Sequence, residues 1–579
     1  MKKLVSRCMA VLMAMTMILS MSMAAFAAEA PKGTLTVNNT VAGKTLDLYQ
    51  IFTATKSGDN VAYTLNSAYE GFFQSKITDA SALTGEALSE KAYDYVKTQV
   101  GTDGNNGAAF AKDMLGWILD SKNNITATKT VETTATSTHI SDLAYGYYLV
   151  YPKGATDTSK APGKQTYTSA ASLVNITAAT ATINMKSNYP TVDKKLVSTQ
   201  TPGNNSITVN GILNSSWESI HQGVLDDENA PEDTIAPRGA ADEKKAGDFA
   251  IGDTVTYQLT SKVPDMTGYN SYTFKFTDTL STGLDLKAIL SVKVGDTELK
   301  AGKTGDNTYL PIYTKNSDGK HTLTLTFNDF YKLYKEHTGE TITVVYTATL
   351  NKDAVIGMNP NTNKAVVEYS NDPKSNGTGT SEPSIVDVHT FDFTIYKYYL
   401  KDQNKTALAN AEFELYKANA AGTAADENAK INIVDEGNGV YRQATPEEAS
   451  ASAKIVSDED GKVLVKGLKA GTYYLRETKA PEGYNKLLSD IKVEIKPVYD
   501  TTTGKLTSYS VDYTYNGTPI TGNAITNKDN SPEVAVENKT GAQLPSTGAR
   551  TALLLTLAGV VLFAFMAASS IYSKRREAR

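Results

Sequence analysis

"HTLTLTFNDF" (residues 321–330) and "ETITVVYTATL" (residues 340–350) alternate apolar and polar residues along most of their length. A period of two puts every second side chain on one face of an extended strand, so one face is apolar and the other is polar. The pattern continues outward with "DTVTYQLTSKV" (253–263), "YTFKFTDTLSTGL" (272–284) and "TNKAVVEYSND" (362–372). Further on come "FDFTIYKYYL" (391–400), "AEFELYKA" (411–418), "GKVLVKGL" (461–468), "GTYYLRETKAPEGY" (471–484) and "EVAVENK" (533–539). Half-buried strands in this number predict a mainly β chain of tandem, immunoglobulin-like sandwiches.

Toward the N-terminus, "GTLTVNN" (33–39) and "KTLDLYQIF" (44–52) also read as strands. Residues 80–121 break the pattern. Phe110, Met114, Trp117 and Ile118 fall at helical spacing, and Leu83, Leu88, Ala92 and Val96 predict a second helix. That aromatic and methionine stripe reads as core. Strands return with "DLAYGYYLVYPKG" (142–154), "TSAASLVNITA" (168–178) and "ATATINMKSN" (179–188). There is an internal echo: "DLAYGYYLVYPKG" resembles "GLKAGTYYLRETKAPEGY" (467–484), and "KTLDLYQI" resembles "AEFELYKA". The first and third sandwiches therefore read as variants of one unit.

The ends differ from the middle. Lys2, Lys3 and Arg7 precede an apolar run from Cys8 to Ala25 and small-residue cleavage sites, the pattern of a secretory signal. The single cysteine, Cys8, lies inside it, so the mature chain carries no disulfide. At the other end stand Leu544, Pro545, Ser546, Thr547 and Gly548. An uncharged apolar run, Ala552 to Tyr572, follows, long enough to cross a bilayer as one helix. Lys574, Arg575 and Arg576 close it with charges that stay in the cytoplasm. The expected divisions are 1–28 (signal), 29–188 (sandwich with a helical insertion), 189–389 and 390–539 (two further sandwiches), and 540–579 (tail).

Net charge is −6, without a long basic block outside the termini, which argues against nucleic acid as a partner. His139, His221, His321, His337 and His389 are scattered without ligand spacing, so no metal or cofactor is expected. Asp226, Asp227, Glu228 and Asp233 lie in a polar insertion from 210 to 247, lack the spacing of a calcium loop and read as solvated. Glycine-rich turns fit hairpins, not phosphate loops.

The informative residues are polar ones on apolar faces. Phe391, Phe393, Ile395 and Lys397 share one parity, and so do Val534, Val536 and Asn538. Glu477 closes "YYLRE". Buried separately, these groups are costly. Brought together they can react: burial lowers the pKa of a lysine and raises that of a carboxyl. A neutral amine can then attack the asparagine side-chain amide, expel ammonia and leave an isopeptide bond.

This pattern, with "RETKAPEGY" (476–484), resembles the collagen-adhesin B-type domain of Gram-positive surface proteins. The resemblance implies Lys397 as nucleophile, Glu477 as catalyst and Asn538 as acceptor, with Asn527 as a second acceptor candidate. Residues 189–389 resemble the isopeptide-forming middle domain of sortase-assembled major pilins. Val192, Lys194 and Leu196 share a face, as do Phe274, Phe276 and Asp278, and Asn363, Ala365 and Val367. The predicted triad is Lys194, Asp278 and Asn363; strand phase demotes Lys195. In the first sandwich the place of Glu477 falls to Tyr151 or Pro152. Its first strand carries Leu35, Val37 and Asn39 in phase, with no lysine, so no crosslink is expected there.

The tail resembles the sorting signal of sortase substrates. It implies attack by a sortase cysteine on the carbonyl of Thr547, release of Gly548 with the helix, and transfer to an amine. The chain then reads as a cell-wall-anchored backbone subunit of a covalent pilus. Its implied partners are a pilus-type sortase, further copies of itself, peptidoglycan and minor or tip pilins. It is a substrate, not an enzyme. The alternatives are a monomeric wall-anchored adhesin or a minor pilin. Two lysines are candidates for the link to the next subunit. Lys153 matches the "YPK" letters of major pilins, and Lys186 matches the place just before the middle domain. Its position at the junction favours Lys186.

Overall fold

The computed structural model describes residues 31–101, 107–155, 170–185, 188–198, 205–208, 221–222, 245–448, 453–527 and 529–541. The signal segment, residues 544–579, Lys186 and the acidic cluster Asp226, Asp227, Glu228 and Asp233 lie outside the described residues. Among those described, no helix is long and apolar enough to cross a membrane.

The strands gather into three successive units, each built of two sheets with its own core. In the middle unit one sheet runs Asp193–Leu196, Thr254–Lys262, Thr341–Leu350, Leu284–Val294. The facing sheet runs Ser384–His389, Asn361–Ser370, Phe274–Leu280, His321–Phe327, Thr308–Lys315. The alternation read from sequence is realised: every second residue from His321 to Phe327 is buried, and the threonines between them are half-buried. Phe274 stacks on Phe330 at 4.7 Å and meets Phe276 and Phe327 edge-on at 5.6 Å.

The first and third units share a topology that explains their echo. In the third, Phe391–Lys401 lies between the antiparallel Lys462–Leu468 and the parallel Glu533–Glu537. In the first, Lys32–Asn38 lies between the antiparallel Ser137–Ala144 and the parallel Thr180–Asn184.

The first unit departs from simple alternation. From Leu46 to Phe52 its second strand is buried on both faces. One face meets the other sheet through Leu46 and Leu48. The opposite face meets helices Gly85–Val100 and Gly107–Leu119 through Tyr49 and Ile51. Those helices match the expectation, with Phe110, Met114 and Ile118 in the core and Trp117 at its margin. A further helix, Glu70–Lys76, was not anticipated; at seven residues it is too short to display a period, yet it buries Phe72 and Phe73 completely.

Truncating the fully buried Phe274 to alanine removes the centre of this ring cluster. The middle unit should lose about 3–5 kcal/mol, read as a lower denaturant midpoint. An unchanged midpoint would place the ring outside the core.

Candidate functional site

In the third unit, strand alternation turns Lys397 inward, and the parallel register sets it opposite Val536. Two residues on, the Asn538 backbone amide donates to the Tyr398 carbonyl at 2.9 Å, so both side chains stay on the buried face. Glu477 comes from the opposite sheet, on strand Gly471–Lys479. Its Oε1 lies 2.9 Å from Lys397 Nζ, and both side chains are fully buried. The approach is close but poorly directed, and neither atom completes a hydrogen bond. Glu477 Oε2 accepts from the Leu487 amide at 2.7 Å and from Asn538 Nδ2 at 3.2 Å. Asn538 Nδ2 also donates to the Asn485 carbonyl at 2.6 Å, while its Oδ1 is unpartnered. Asn527 is exposed and capped onto the Asp529 amide, away from this group.

In the middle unit, Lys194 Nζ donates to Asp278 Oδ1 at 2.6 Å and Oδ2 at 2.7 Å. Asp278 and Asn363 sit diagonally on neighbouring antiparallel strands, with Asp278 opposite Ala365 and Leu280 opposite Asn363. All three side chains are buried, and Asn363 Oδ1 is unpartnered. Lys195 points to the other, half-buried face.

Sequence reasoning missed a fourth member here. Tyr346, fully buried, donates its hydroxyl hydrogen to Asp278 Oδ2. The Tyr346 hydroxyl oxygen accepts from Lys194 Nζ at 2.5 Å and from Asn363 Nδ2 at 2.8 Å. Its signal was present, since Ile342, Val344, Tyr346 and Ala348 share the inward parity of "ETITVVYTATL". By parity alone a tyrosine on such a face is indistinguishable from packing.

The electrostatics follow from burial. Desolvation lowers the pKa of Lys194 to about 8, against the opposing pull of Asp278. It lowers that of Lys397 likewise to about 8, against Glu477. Each site thus holds an amine that can become neutral, a carboxyl in contact with it, and a carboxamide whose oxygen lacks a donor. These are the parts of an intramolecular amide exchange.

The two sites differ in what they would join. Lys397 and Asn538 belong to adjacent parallel elements of one sheet, the first and last of their unit. Lys194 and Asn363 lie in facing sheets. Asn363 is on Asn361–Ser370 and Ser384–His389 follows it, so this second pair does not tie first strand to last.

Among its described residues the first unit has no such group. Leu46 pairs with Pro152 where the third unit pairs Phe413 with Glu477, so the register selects Pro152, which has no carboxyl, over Tyr151. Its first strand ends at Asn38, and Asn39 is an exposed turn residue at φ 60°.

Lys153, though distant in sequence from residue 189, stands where the first and middle units meet. Lys153 Nζ is 3.3 Å from Asp372 Oδ2 of the middle unit and 3.5 Å from Asp47 Oδ2 of its own. Beside it Gly154, at φ +74°, packs so closely on Asn371 that a Cβ would sit 2.8 Å from its Cα. Lys153 keeps about a quarter of its side chain exposed.

Three family models match the chain. Residues 251–373 match the "Gram-positive pilin backbone subunit 2, Cna-B-like domain". Residues 392–509 match the SpaA prealbumin-like fold domain, and residues 536–578 the LPXTG cell wall anchor motif. The chain is 25% identical over 302 residues to the trypsin-resistant surface T6 protein of Streptococcus pyogenes serotype M6, covering 49% of each. It is 25% identical over 359 residues to the fimbrial subunit type 2 of Actinomyces naeslundii, covering 58% of this chain and 59% of that protein. It thus spans between half and three fifths of these relatives' length. Among solved structures, the T6 backbone pilin of S. pyogenes aligns over 82% of this chain and 84% of its own, at 16% identity and a TM-score of 0.41. The anchor motif makes the chain a cell-wall-anchored surface protein, and its other matched domains are similar to those of Gram-positive pilins.

Two outcomes are expected. The secreted ectodomain should weigh two ammonias less than its sequence; Lys194→Ala and Lys397→Ala should each restore one, and an unshifted wild-type mass would exclude both bonds. In Asn538→Ala, Lys397 remains a titrating amine. Its folded pKa of about 8 lies below the ordinary lysine value of 10.5, so the unfolded chain binds more protons between those values. The denaturant midpoint of the third unit in this variant should therefore rise with pH across that window. A flat profile would mean the ammonium is not desolvated.

Proposed function

We propose that this chain, which carries the pilin-backbone, prealbumin-like and wall-anchor domains of Gram-positive surface pilins, is the backbone subunit of a covalent pilus. A sortase joins Thr547 of one copy to a lysine of the next, and the last copy is passed to peptidoglycan. The observation that carries this reading is the union, in one chain, of a pilin-backbone domain and a cell wall anchor motif. The anchor supplies the acyl group and the backbone domain supplies the repeating body. The chain's own chemistry is intramolecular and single-turnover, so it is not an enzyme.

The argument from location, which favoured Lys186 along the sequence, supports Lys153 in space. Lys153 sits at the meeting of two units, partly exposed, between carboxylates contributed by both. A lysine held there offers sortase a defined amine.

The two buried triads supply the mechanical part. Lys194, Asp278 and Asn363 form one crosslink, and Lys397, Glu477 and Asn538 the other. Each closes a loop of about 140–170 residues, restraining the unfolded state by several kcal/mol on the disulfide analogy. More useful on a pulled fibre is kinetic stability, because a covalent bond bears load before strands shear. The first unit, without such a bond, should yield first.

Wall material released enzymatically and boiled in denaturant should show a ladder of high-mass species containing this chain. Lys153→Arg should collapse the ladder to monomer, whereas Lys186→Arg should leave it intact. A single wild-type band would identify a monomeric wall-anchored adhesin or minor pilin instead.

A further inference from the structure

The two reactive clusters differ by one carboxyl-chain methylene, and the geometry shows its consequence. In the third unit the longer Glu477 reaches both reactants itself. Its Oε1 lies 2.9 Å from the Lys397 amine, and its Oε2 accepts from Asn538 Nδ2 at 3.2 Å. One carboxyl can therefore collect a proton at the nucleophile and deliver it to the leaving nitrogen. In the middle unit the shorter Asp278 spends both oxygens on Lys194 Nζ. The leaving nitrogen, Asn363 Nδ2, donates instead to the Tyr346 hydroxyl. That hydroxyl in turn donates to Asp278 Oδ2. Burial, then the Asp278 charge, raises the Tyr346 pKa well above its ordinary value, so the phenol keeps its proton available.

We propose that Tyr346 is a catalytic residue of the middle crosslink, relaying a proton from Asp278 to the departing nitrogen of Asn363. This rests on the reading that Lys194 and Asn363 become joined. The steps balance. Asp278 takes a proton from the Lys194 ammonium. The neutral amine adds to Asn363 Cγ and forms the Nζ–Cγ bond. Tyr346 gives its proton to Nδ2 and regains one from Asp278. The Cγ–Nδ2 bond breaks, ammonia leaves, and the second amine proton passes to Asp278, which ends neutral. Tyr346 ends as it began. Its ring stacks on Tyr257 at 5.2 Å, with Lys194 Nζ 5.2 Å from the Tyr346 ring centre and 4.9 Å from that of Tyr257. The hydroxyl is thereby fixed with its single proton and two lone pairs all engaged.

The test follows ammonia loss over time in freshly expressed full-length ectodomain by intact mass. Tyr346→Phe keeps the ring and removes only the relay. It should lose the first ammonia, from the third unit, at the wild-type rate and the second at least tenfold more slowly. Tyr313→Phe is the matched control. It removes another buried hydroxyl of the same core, one that accepts from the Leu286 amide at 3.1 Å. It should crosslink at the wild-type rate. If Tyr346→Phe also loses both ammonias at the wild-type rate, or if Tyr313→Phe slows the second loss equally, the relay is overturned. A wild-type chain that never loses the second ammonia would instead overturn the crosslink on which the relay depends.

Discussion

The middle and third units each depend on one constraint: a lysine, a carboxyl and a carboxamide are held together in a core without solvent. An ion pair of this kind is costly, because desolvating two charges exceeds what their attraction returns unless further partners surround them. In the middle unit Tyr346 supplies those partners. In the third, the Leu487 amide and the Asn485 carbonyl supply some, while Lys397 Nζ, Glu477 Oε1 and Asn538 Oδ1 remain unsatisfied. Buried polar atoms rarely stay unpaired in a settled fold. Three such atoms meet in this one cluster, and the proposed amide exchange would replace the buried amine and carboxyl pair with a neutral amide.

The same chemistry is set into two mechanical contexts. A bond at the third-unit site would join neighbouring parallel elements of one sheet and secure the entry and exit of the chain. A bond at the middle-unit site would join facing sheets and secure the sandwich against sliding open. The first unit has neither and is held by a doubly buried strand with helices on its outer face. Its attachment to the middle unit is polar and close. Lys44 donates to the Tyr369 hydroxyl at 3.0 Å, Lys374 donates to the Ile125 carbonyl, and Lys153 lies between Asp47 and Asp372. Such contacts orient two bodies without merging their cores.

The third unit and the middle unit also touch. The Ala470 amide donates to Asp248 Oδ1 at 2.9 Å, and Gln443 Nε2 donates to the Ile251 carbonyl at 3.1 Å. The contact also has an apolar part, since the Ile251 side chain packs directly against Gly467.

The sequence by itself determined the β class, the inward lysines, Asp278, both asparagines and the wall-anchor motif. Strand parity of two is a local property, and a polar residue on an apolar stripe is visible without knowing its neighbours. It also showed no lysine in phase with Leu35 and Val37 on the first unit's first strand, and Lys32, which opens that strand, is exposed. Tertiary structure alone decided the rest. Parity cannot say which strand faces which, so nothing in the sequence sets Tyr346 beside Asp278. It cannot choose between Tyr151 and Pro152, which needs the register with Leu46. Nor can distance along a chain locate Lys153, because the strand Gly146–Pro152 just before it ends beside a turn more than two hundred residues later. Which groups meet is settled by long-range pairing, and that information is spread over every strand of a sandwich.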